Sequence, residues 1–169
     1  MRKFLVLVVL LMLVLTAVPA MASSHDTTQR FVAKAAGQSI FDFANPSDCA
    51  AGFTTRGELT SRFPALTAES AHCYVPTGPD GGITDGGEII FRSSNGVEIW
   101  ATYNLAITAQ ETIGEPLYAT GTFTIIGGTG RYENATGGGR MRVVITFEGF
   151  TDFSWATTAT WLGPITFAH

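Results

Sequence analysis

The side chains best suited to chemistry are Cys49, Cys73 and His72, which directly precedes the second cysteine. Because the N-terminal segment has the features of an export signal, the even number of cysteines favours a disulfide. A closed loop of about 25 residues would stabilise the fold by roughly 3.5 kcal/mol in the chain-entropy model. We therefore expect a Cys49–Cys73 bridge, which leaves no thiol to act as a nucleophile. The alternative is two separate buried thiols.

The other polar residues are not arranged as a metal site or a hydrolytic site. His25 and His72 share no compact ligand spacing with the cysteines. The chain has no Gly-x-Ser-x-Gly sequence. Glu98 and Glu148 fall on the solvent face of their strands rather than as a pair in a cleft. We predict no metal and no cofactor, with His72 packed near the bridge or facing solvent.

The glycine-rich segment from Thr120 to Met141 differs from both nucleotide-binding patterns. Arg131-Tyr132 follows Gly130 where a phosphate loop has Lys and Ser or Thr, and Glu133 stands where a dinucleotide fold has its third glycine. Glycines permit positive φ and close approach of two backbones. We expect a structural loop between two strands, formed by Gly127, Gly128, Gly130, Gly137 and Gly139.

The first 22 residues have the three parts of a secretory signal peptide. Met1-Arg2-Lys3 is positive, Phe4 to Leu15 is an unbroken apolar run, and Ala20-Met21-Ala22 fits the cleavage pattern. This run is too short to cross a bilayer, which needs about 20 helical residues. We expect cleavage after Ala22 and a secreted or periplasmic protein. The alternative is an uncleaved anchor.

The expected mature chain is small and acidic. Cleavage leaves 147 of the 169 residues, the size of one domain. With Arg2 and Lys3 removed, eight basic residues remain against 14 acidic ones, a formal charge of −6. An acidic chain without basic clusters argues against nucleic acid and against a membrane surface as partners.

Short stretches separated by Gly, Pro, Asn and Asp indicate an all-β domain. We divide the mature chain into a leader, residues 23–38, and a barrel domain, residues 39–169. The leader is expected to be mobile near Ser23–Arg30, and Pro76–Gly87 is expected to be a loop. No segment has a sustained helical period, and only Thr28–Ala36 offers a short helical start. The predicted strands are Ser39–Phe43, Phe53–Phe63, Ala71–Val75, Glu88–Ser93, Val97–Thr108, Leu117–Ile126, Gly139–Glu148 and Ser154–Leu162.

Apolar and polar residues alternate along three of these strands, which indicates one buried face and one solvated face. Several such strands between turns predict a sandwich or a closed barrel. At the hairpin around residues 94–96, a three-residue loop with Gly96 at positive φ keeps the apolar face whole. That register places Phe91 opposite Ile99, and Ile90 opposite Trp100 on the outward face.

Three segments together resemble the barrel shared by allene oxide cyclases and dirigent proteins. They are Thr-Phe-Thr-Ile at 122–125, Gly-Gly-Thr-Gly-Arg-Tyr at 127–132 and Ala-Thr-Gly-Gly-Gly at 135–139. The similarity is greatest to exported bacterial relatives whose roles are mostly unassigned. It implies a calycin-like closed antiparallel barrel of about eight strands with a central apolar cavity, often trimeric in plant members. The polar catalytic residues of those enzymes have no residue-by-residue match in this chain.

Inward-facing aromatic residues are the candidates for ligand binding, because a small barrel either fills its interior or holds one small molecule. Tyr103 is the single polar group on its stripe, and a buried phenol needs a hydrogen-bond partner. The alternative is that these rings only fill the core. The six candidates are Tyr103, Phe91, Phe123, Phe147, Trp155 and Trp161.

The sequence supports three functions and one assembly hypothesis. The leading function is non-catalytic binding of a small apolar ligand, or action through the surface. The alternatives are a metal-free and cofactor-free isomerase or cyclase, and a small outer-membrane barrel, which needs an apolar exterior and a polar interior. A cavity carrying buried Glu, Asp, Arg or Asn would favour the enzyme. Outward Ile90 and Trp100 predict a homo-oligomer, unless Phe31 and Val32 cover Trp100.

Overall fold

Eight antiparallel strands close into a barrel in which every strand pairs with the next and β8 pairs back with β1. The computed structural model describes residues 26–41, 49, 53–62, 65–78, 81–108, 115–147 and 154–167. The predicted fold class is therefore confirmed. The strands are β1 (Thr27–Phe41), β2 (Phe53–Arg62), β3 (Ala65–Gly78), β4 (Gly81–Ser93), β5 (Glu98–Thr108), β6 (Leu117–Gly128), β7 (Thr136–Phe147) and β8 (Ser154–Phe167).

Strand β1 lies where the sequence analysis placed a leader and a short helix. It begins at Thr27 and pairs with β8 along its whole length and with β2 over its second half. Phe31, Ala33 and Ala35 point inward and are buried, while the residues between them are exposed. The short helical start at Thr28–Ala36 is not formed: inward alanines give a weak period-2 signal, and pairing with two neighbouring strands outweighs local helix preference. The expected signal peptide lies outside the described residues.

The segment Pro76–Gly87 was predicted to be a loop, but its described residues, 76–78 and 81–87, instead belong to the paired strands β3 and β4. The register shifts between Ile83 and Gly87, where Gly86 has φ of 60° and opens a bulge. The strand was missed because its many glycines are typical of a loop, whereas here they form a bulge and allow close packing inside the sheet.

The predicted hairpin between β4 and β5 is confirmed. Phe91 pairs with Ile99 and Ile90 pairs with Trp100. Gly96 closes the turn with φ of 79°, and its amide donates to the carbonyl of Ser93 at 2.9 Å. The register keeps the apolar residues of both strands on the inner face.

The predicted disulfide is confirmed between Cys49 and Cys73, with Cα atoms 5.6 Å apart. It attaches residue 49, in the connection from β1 to β2, to strand β3. Disulfides of this kind are typical of proteins that fold in an oxidising compartment.

The rings of Phe31, Phe91 and Phe123 fill one end of the barrel, and we call this set the aromatic plug. Phe31 lies 5.3 Å from Phe91 and 5.8 Å from Phe123, ring centre to ring centre. Trp161 meets Phe91 edge-on at 5.0 Å. Edge-to-face pairs at these distances add to the stabilisation from burial alone. This end is therefore solid core.

The glycine-rich connection from β6 to β7 lies at the plug end and contains a single 3₁₀ turn, Gly130–Tyr132. Gly127, Gly130 and Gly137 have positive φ. Gly128 and Gly139 do not, and a Cβ there would strike the carbonyl oxygens of Glu98 and Leu162 respectively. The reason for glycine thus differs within the loop: it is positive φ at Gly127, Gly130 and Gly137, and close approach of another backbone at Gly128 and Gly139.

Candidate functional site

The half of the barrel away from the plug holds an internal cavity of about 150 Å³. Its wall comes from inward positions on all eight strands, and it is mainly apolar. The aliphatic part of the wall consists of Leu59, Ile89, Leu105, Ile107, Leu117, Ala119, Met141, Val143, Ile145 and Ala159.

The cavity has a deep end and a rim. At the deep end, Ile89 and Trp161 are almost wholly buried beside the aromatic plug. Towards the other end, Phe41 meets Trp155 edge-on at 4.7 Å and lies 6.2 Å from Tyr74. Because Phe41 and Tyr74 are only partly buried, this aromatic rim is the more accessible end of the cavity.

A chain of three polar side chains crosses the cavity wall from β3 to β5. His72 Nδ1 lies 2.7 Å from the Tyr103 hydroxyl, which also hydrogen-bonds Ser70. Tyr103 reaches across β4 because Gly87 has no side chain: a Cβ there would lie 2.8 Å from two carbons of the tyrosine ring. The bulged glycine pair on β4 therefore places the phenol beside the histidine.

Burial determines the protonation states of His72 and Tyr103 at neutral pH. It lowers the pKa of His72 to about 4, so the imidazole is neutral. Burial also raises the pKa of Tyr103 above its usual range, partly opposed by the Ser70 hydrogen bond, so the phenol keeps its proton. The cavity thus presents neutral hydrogen-bonding groups.

Two other wall hydroxyls are hydrogen-bonded within the protein. Thr157 Oγ1 donates to Ser39 Oγ at 2.9 Å, and Thr84 Oγ1 accepts the amide of Leu105 at 2.8 Å. Two further wall groups differ: Thr55 Oγ1 and Trp161 Nε1 are buried and have no hydrogen-bond partner within the described part of the chain. Buried polar atoms are rarely left unpaired, and each such atom requires an explanation.

Of the six sequence candidates, Tyr103, Trp155 and Trp161 line the cavity. Phe91 and Phe123 belong to the aromatic plug. The side chain of Phe147 lies outside the described residues, and its ligand-binding role stays a prediction.

Sequence reasoning missed His72, which it placed near the disulfide or in solvent, and the threonine Thr55. Both residues alternate in phase with buried neighbours, Thr55 with Leu59 on β2 and His72 with Ala68 on β3. Because both residues are polar, the apolar period-2 pattern does not include them, and only the strand register shows that they face inward.

No Asp, Glu, Lys or Arg is among the described residues of the cavity wall. A search of the described residues finds no group of three His, Cys, Asp or Glu side chains placed to hold a metal ion. None of the helical structure described for this chain is long and apolar enough to span a membrane.

The strand pairing and the wall together define a small closed β-barrel with an internal, uncharged, mostly apolar cavity. No protein-family model matches the chain, and no curated protein matches it either. Among solved structures, one similar chain is a pterocarpan synthase dirigent protein, 13% identical, with 88% of this chain and 94% of that chain covered and a TM-score of 0.44. The synthase activity in that name belongs to that protein. The barrel described here is established by this chain's own strand pairing.

Proposed function

We propose that this protein binds one small, uncharged, mainly apolar molecule inside the barrel. The observation that carries the proposal is the cavity of about 150 Å³ between the aromatic plug and the aromatic rim. An apolar cavity of similar size in another protein holds benzene. The enclosed part of the site therefore fits a molecule with a single ring or a short branched chain.

The wall favours a neutral ligand over a charged one. Burying an ionised group costs several kcal/mol unless an opposite charge or several hydrogen bonds accompany it. The described wall offers no charged side chain, and its histidine is neutral at pH 7 because burial lowers the pKa of His72 to about 4. A carboxylate or ammonium ligand would enter at a large desolvation cost.

The composition of the same wall gives no support to the isomerase or cyclase alternative. A buried Glu, Asp, Arg or Asn in the cavity would have favoured it, and the described wall has none of these. The outer-membrane alternative needs a polar interior, whereas the inward faces of these strands are apolar. Both observations support a binding role.

Neutral aromatic probes test the proposal directly. Toluene and ethylbenzene should bind the purified protein with one-site stoichiometry by calorimetry and should raise its melting temperature, because a ligand that binds only the folded state stabilises it. Ala159→Leu fills the cavity wall and should abolish binding. Ala106→Leu, on the solvent face of β5, should leave binding intact. Equal loss in both variants, or no binding to the parent protein, would contradict the proposal.

We infer export to an oxidising compartment as the setting of this function. Support comes from the Cys49–Cys73 disulfide together with the signal-like first 22 residues. Mass spectrometry of the protein recovered from an extracytoplasmic fraction should give an N-terminus at Ser23. A chain that keeps Met1 and stays in the cytoplasm would contradict the inference.

A second proposal concerns assembly into a homo-oligomer through an outward apolar row on β4, β5 and β6, formed by Ile90, Trp100 and Ile126. Trp100 is 39% exposed and Ile126 is 61% exposed. Phe31 is buried in the core and Val32 pairs with Leu162 on β8, so the account in which these two residues cover Trp100 is wrong. Covering the indole would gain on the order of 2–3 kcal/mol per subunit.

Light scattering after size exclusion tests the assembly. The parent protein should run as an oligomer at micromolar concentration, and Trp100→Glu should give monomers. Leu162→Glu, an equally drastic change at an exposed residue on β8, should not. A monomeric parent protein would refute the proposal.

A further inference from the structure

The cavity wall contains polar groups that the fold does not pair, and their chemistry limits the ligand beyond its size. Thr55 is 3% exposed and Trp161 is fully buried, and both carry an unpartnered polar atom within the described residues. Thr55 pairs in register with His72 on the neighbouring strand, and both side chains face the cavity. One polar spot therefore lies between β2 and β3 in an otherwise apolar wall.

The direction of the hydrogen bonds determines what His72 offers to this spot. The Tyr103 hydroxyl lies 2.7 Å from His72 Nδ1. Hydrogen bonds donated by a hydroxyl are about 2.7–2.8 Å long, whereas those donated by an N–H are usually about 2.9–3.0 Å, so we assign the phenol as the donor and Nδ1 as the acceptor. A neutral imidazole carries one N–H, which leaves the proton of His72 on Nε2. His72 is thus a donor at Nε2.

The available groups are therefore mainly donors. The indole of Trp161 can only donate, His72 Nε2 donates in the tautomer derived above, and the Thr55 hydroxyl can donate as well as accept. Among the described residues, the wall contains no carboxylate and no side-chain amide that could accept a hydrogen bond from these donors. A ligand that pairs with donors must supply an acceptor.

We propose that Thr55 Oγ1 and His72 Nε2 bind the oxo oxygen of a neutral ketone, aldehyde or ester whose apolar part occupies the cavity. The inference rests on the proposed binding function. A carbonyl oxygen has two lone pairs and accepts both hydrogen bonds without a proton of its own to place. Trp161 Nε1, at the deep end, marks a second donor for a ligand long enough to reach it.

A pair of nearly isosteric ligands separates this inference from the proposed function. Acetophenone carries the oxo group, and α-methylstyrene replaces the oxygen by a methylene group of similar shape. Calorimetry gives the ratio of their affinities for the parent protein and for Thr55→Val, which removes the hydroxyl and keeps the branched shape. Comparing ratios cancels the difference in hydration of the two free ligands.

The ratio should fall by about fivefold in Thr55→Val, the size expected for one hydrogen bond to a neutral acceptor. In Thr157→Val, whose hydroxyl is already bonded to Ser39, the affinities of both ligands should change by the same factor. Binding of both ligands with an unchanged ratio in Thr55→Val overturns the oxo site and leaves the binding function standing. Binding of neither ligand overturns the binding function and the oxo site with it.

The tautomer of His72 provides a second test that needs no ligand. Ring nitrogen chemical shifts at pH 7 should show a protonated Nε2 and an unprotonated Nδ1. Tyr103→Phe removes the donor to Nδ1, so the proton of His72 should no longer be confined to Nε2. A protonated Nδ1 in the parent protein would overturn the hydrogen-bond direction on which the oxo site depends.

Discussion

The same substitution at two cavity threonines should change stability in opposite directions. Thr55→Val removes a buried hydroxyl that has no partner among the described residues. Thr157→Val removes a hydroxyl that donates to Ser39 at 2.9 Å, and both of these residues are buried. The side chains keep their branched shape in each case, so the hydrogen-bonding state is the main difference.

The magnitudes follow from the cost of an unsatisfied buried polar group, about 1–3 kcal/mol. Thr55→Val removes that cost and should raise the free energy of unfolding by about 1–2 kcal/mol. Thr157→Val leaves Ser39 without its donor and should lower it by about 1–2 kcal/mol. In a domain of this size the two melting temperatures should differ by about 10 °C, since 1 kcal/mol shifts the midpoint by about 3–4 °C.

Urea unfolding followed by tryptophan fluorescence measures both changes on ligand-free protein. The slope of the free energy with denaturant should stay constant while the midpoints move apart, because neither change alters the surface exposed on unfolding. If Thr55→Val destabilises the barrel as much as Thr157→Val does, the Thr55 hydroxyl has a partner such as an ordered water. The cavity would then hold no unpaired donor at Thr55.

Three further predictions concern the disulfide, the buried histidine and the glycine loop. Replacing Cys49 and Cys73 by Ser should lower the free energy of unfolding by roughly 3.5 kcal/mol; thiol titration of the unfolded, unreduced protein should find no free thiol, and two would contradict the bridge. Because the folded pKa of His72 is about 4 against 6.5 when unperturbed, the unfolded state gains a proton first, so stability should fall by about 2–3 kcal/mol as the pH falls from about 6.5 to 4. His72→Phe should lose this part of the dependence, and an unchanged pH profile would count against a neutral, largely desolvated imidazole. Gly128→Ala, which strikes the carbonyl of Glu98, should lower the melting temperature more than Gly130→Asn, whose φ of 56° asparagine tolerates; the reverse order in thermal unfolding would refute the assigned roles.

The barrel could be predicted from the sequence where side chains alternate strongly. Strand β5 places Ile99, Ala101 and Tyr103 inward, and this pattern determined the register of its hairpin. Strand β1 escaped prediction because its inward residues at 33 and 35 are alanines, which fit a helix as well as a strand. Local sequence cannot reveal that β1 closes the barrel, since closure depends on pairing with β8 at the far end of the chain.

The cavity could be predicted only in part. Alternation identifies Phe91 and Tyr103 as inward residues but gives no height along the barrel axis. Height decides that Phe91 packs in the plug while Tyr103 borders the cavity. His72 and Thr55 required the register of β2 against β3, a long-range property that composition and spacing do not contain.

The aromatic plug and the cavity occupy different halves of the barrel axis, so that packing and internal space are separated. Phe31, Phe91 and Phe123 lie at one end, while the wall residues of the cavity occupy the other half of the same strands. Substitutions in the cavity half can alter the shape of the interior while the plug keeps its packing, since distant sites act nearly independently on stability. The shape of the interior can therefore change at one end of the barrel while the packed rings at the other end keep the chain folded.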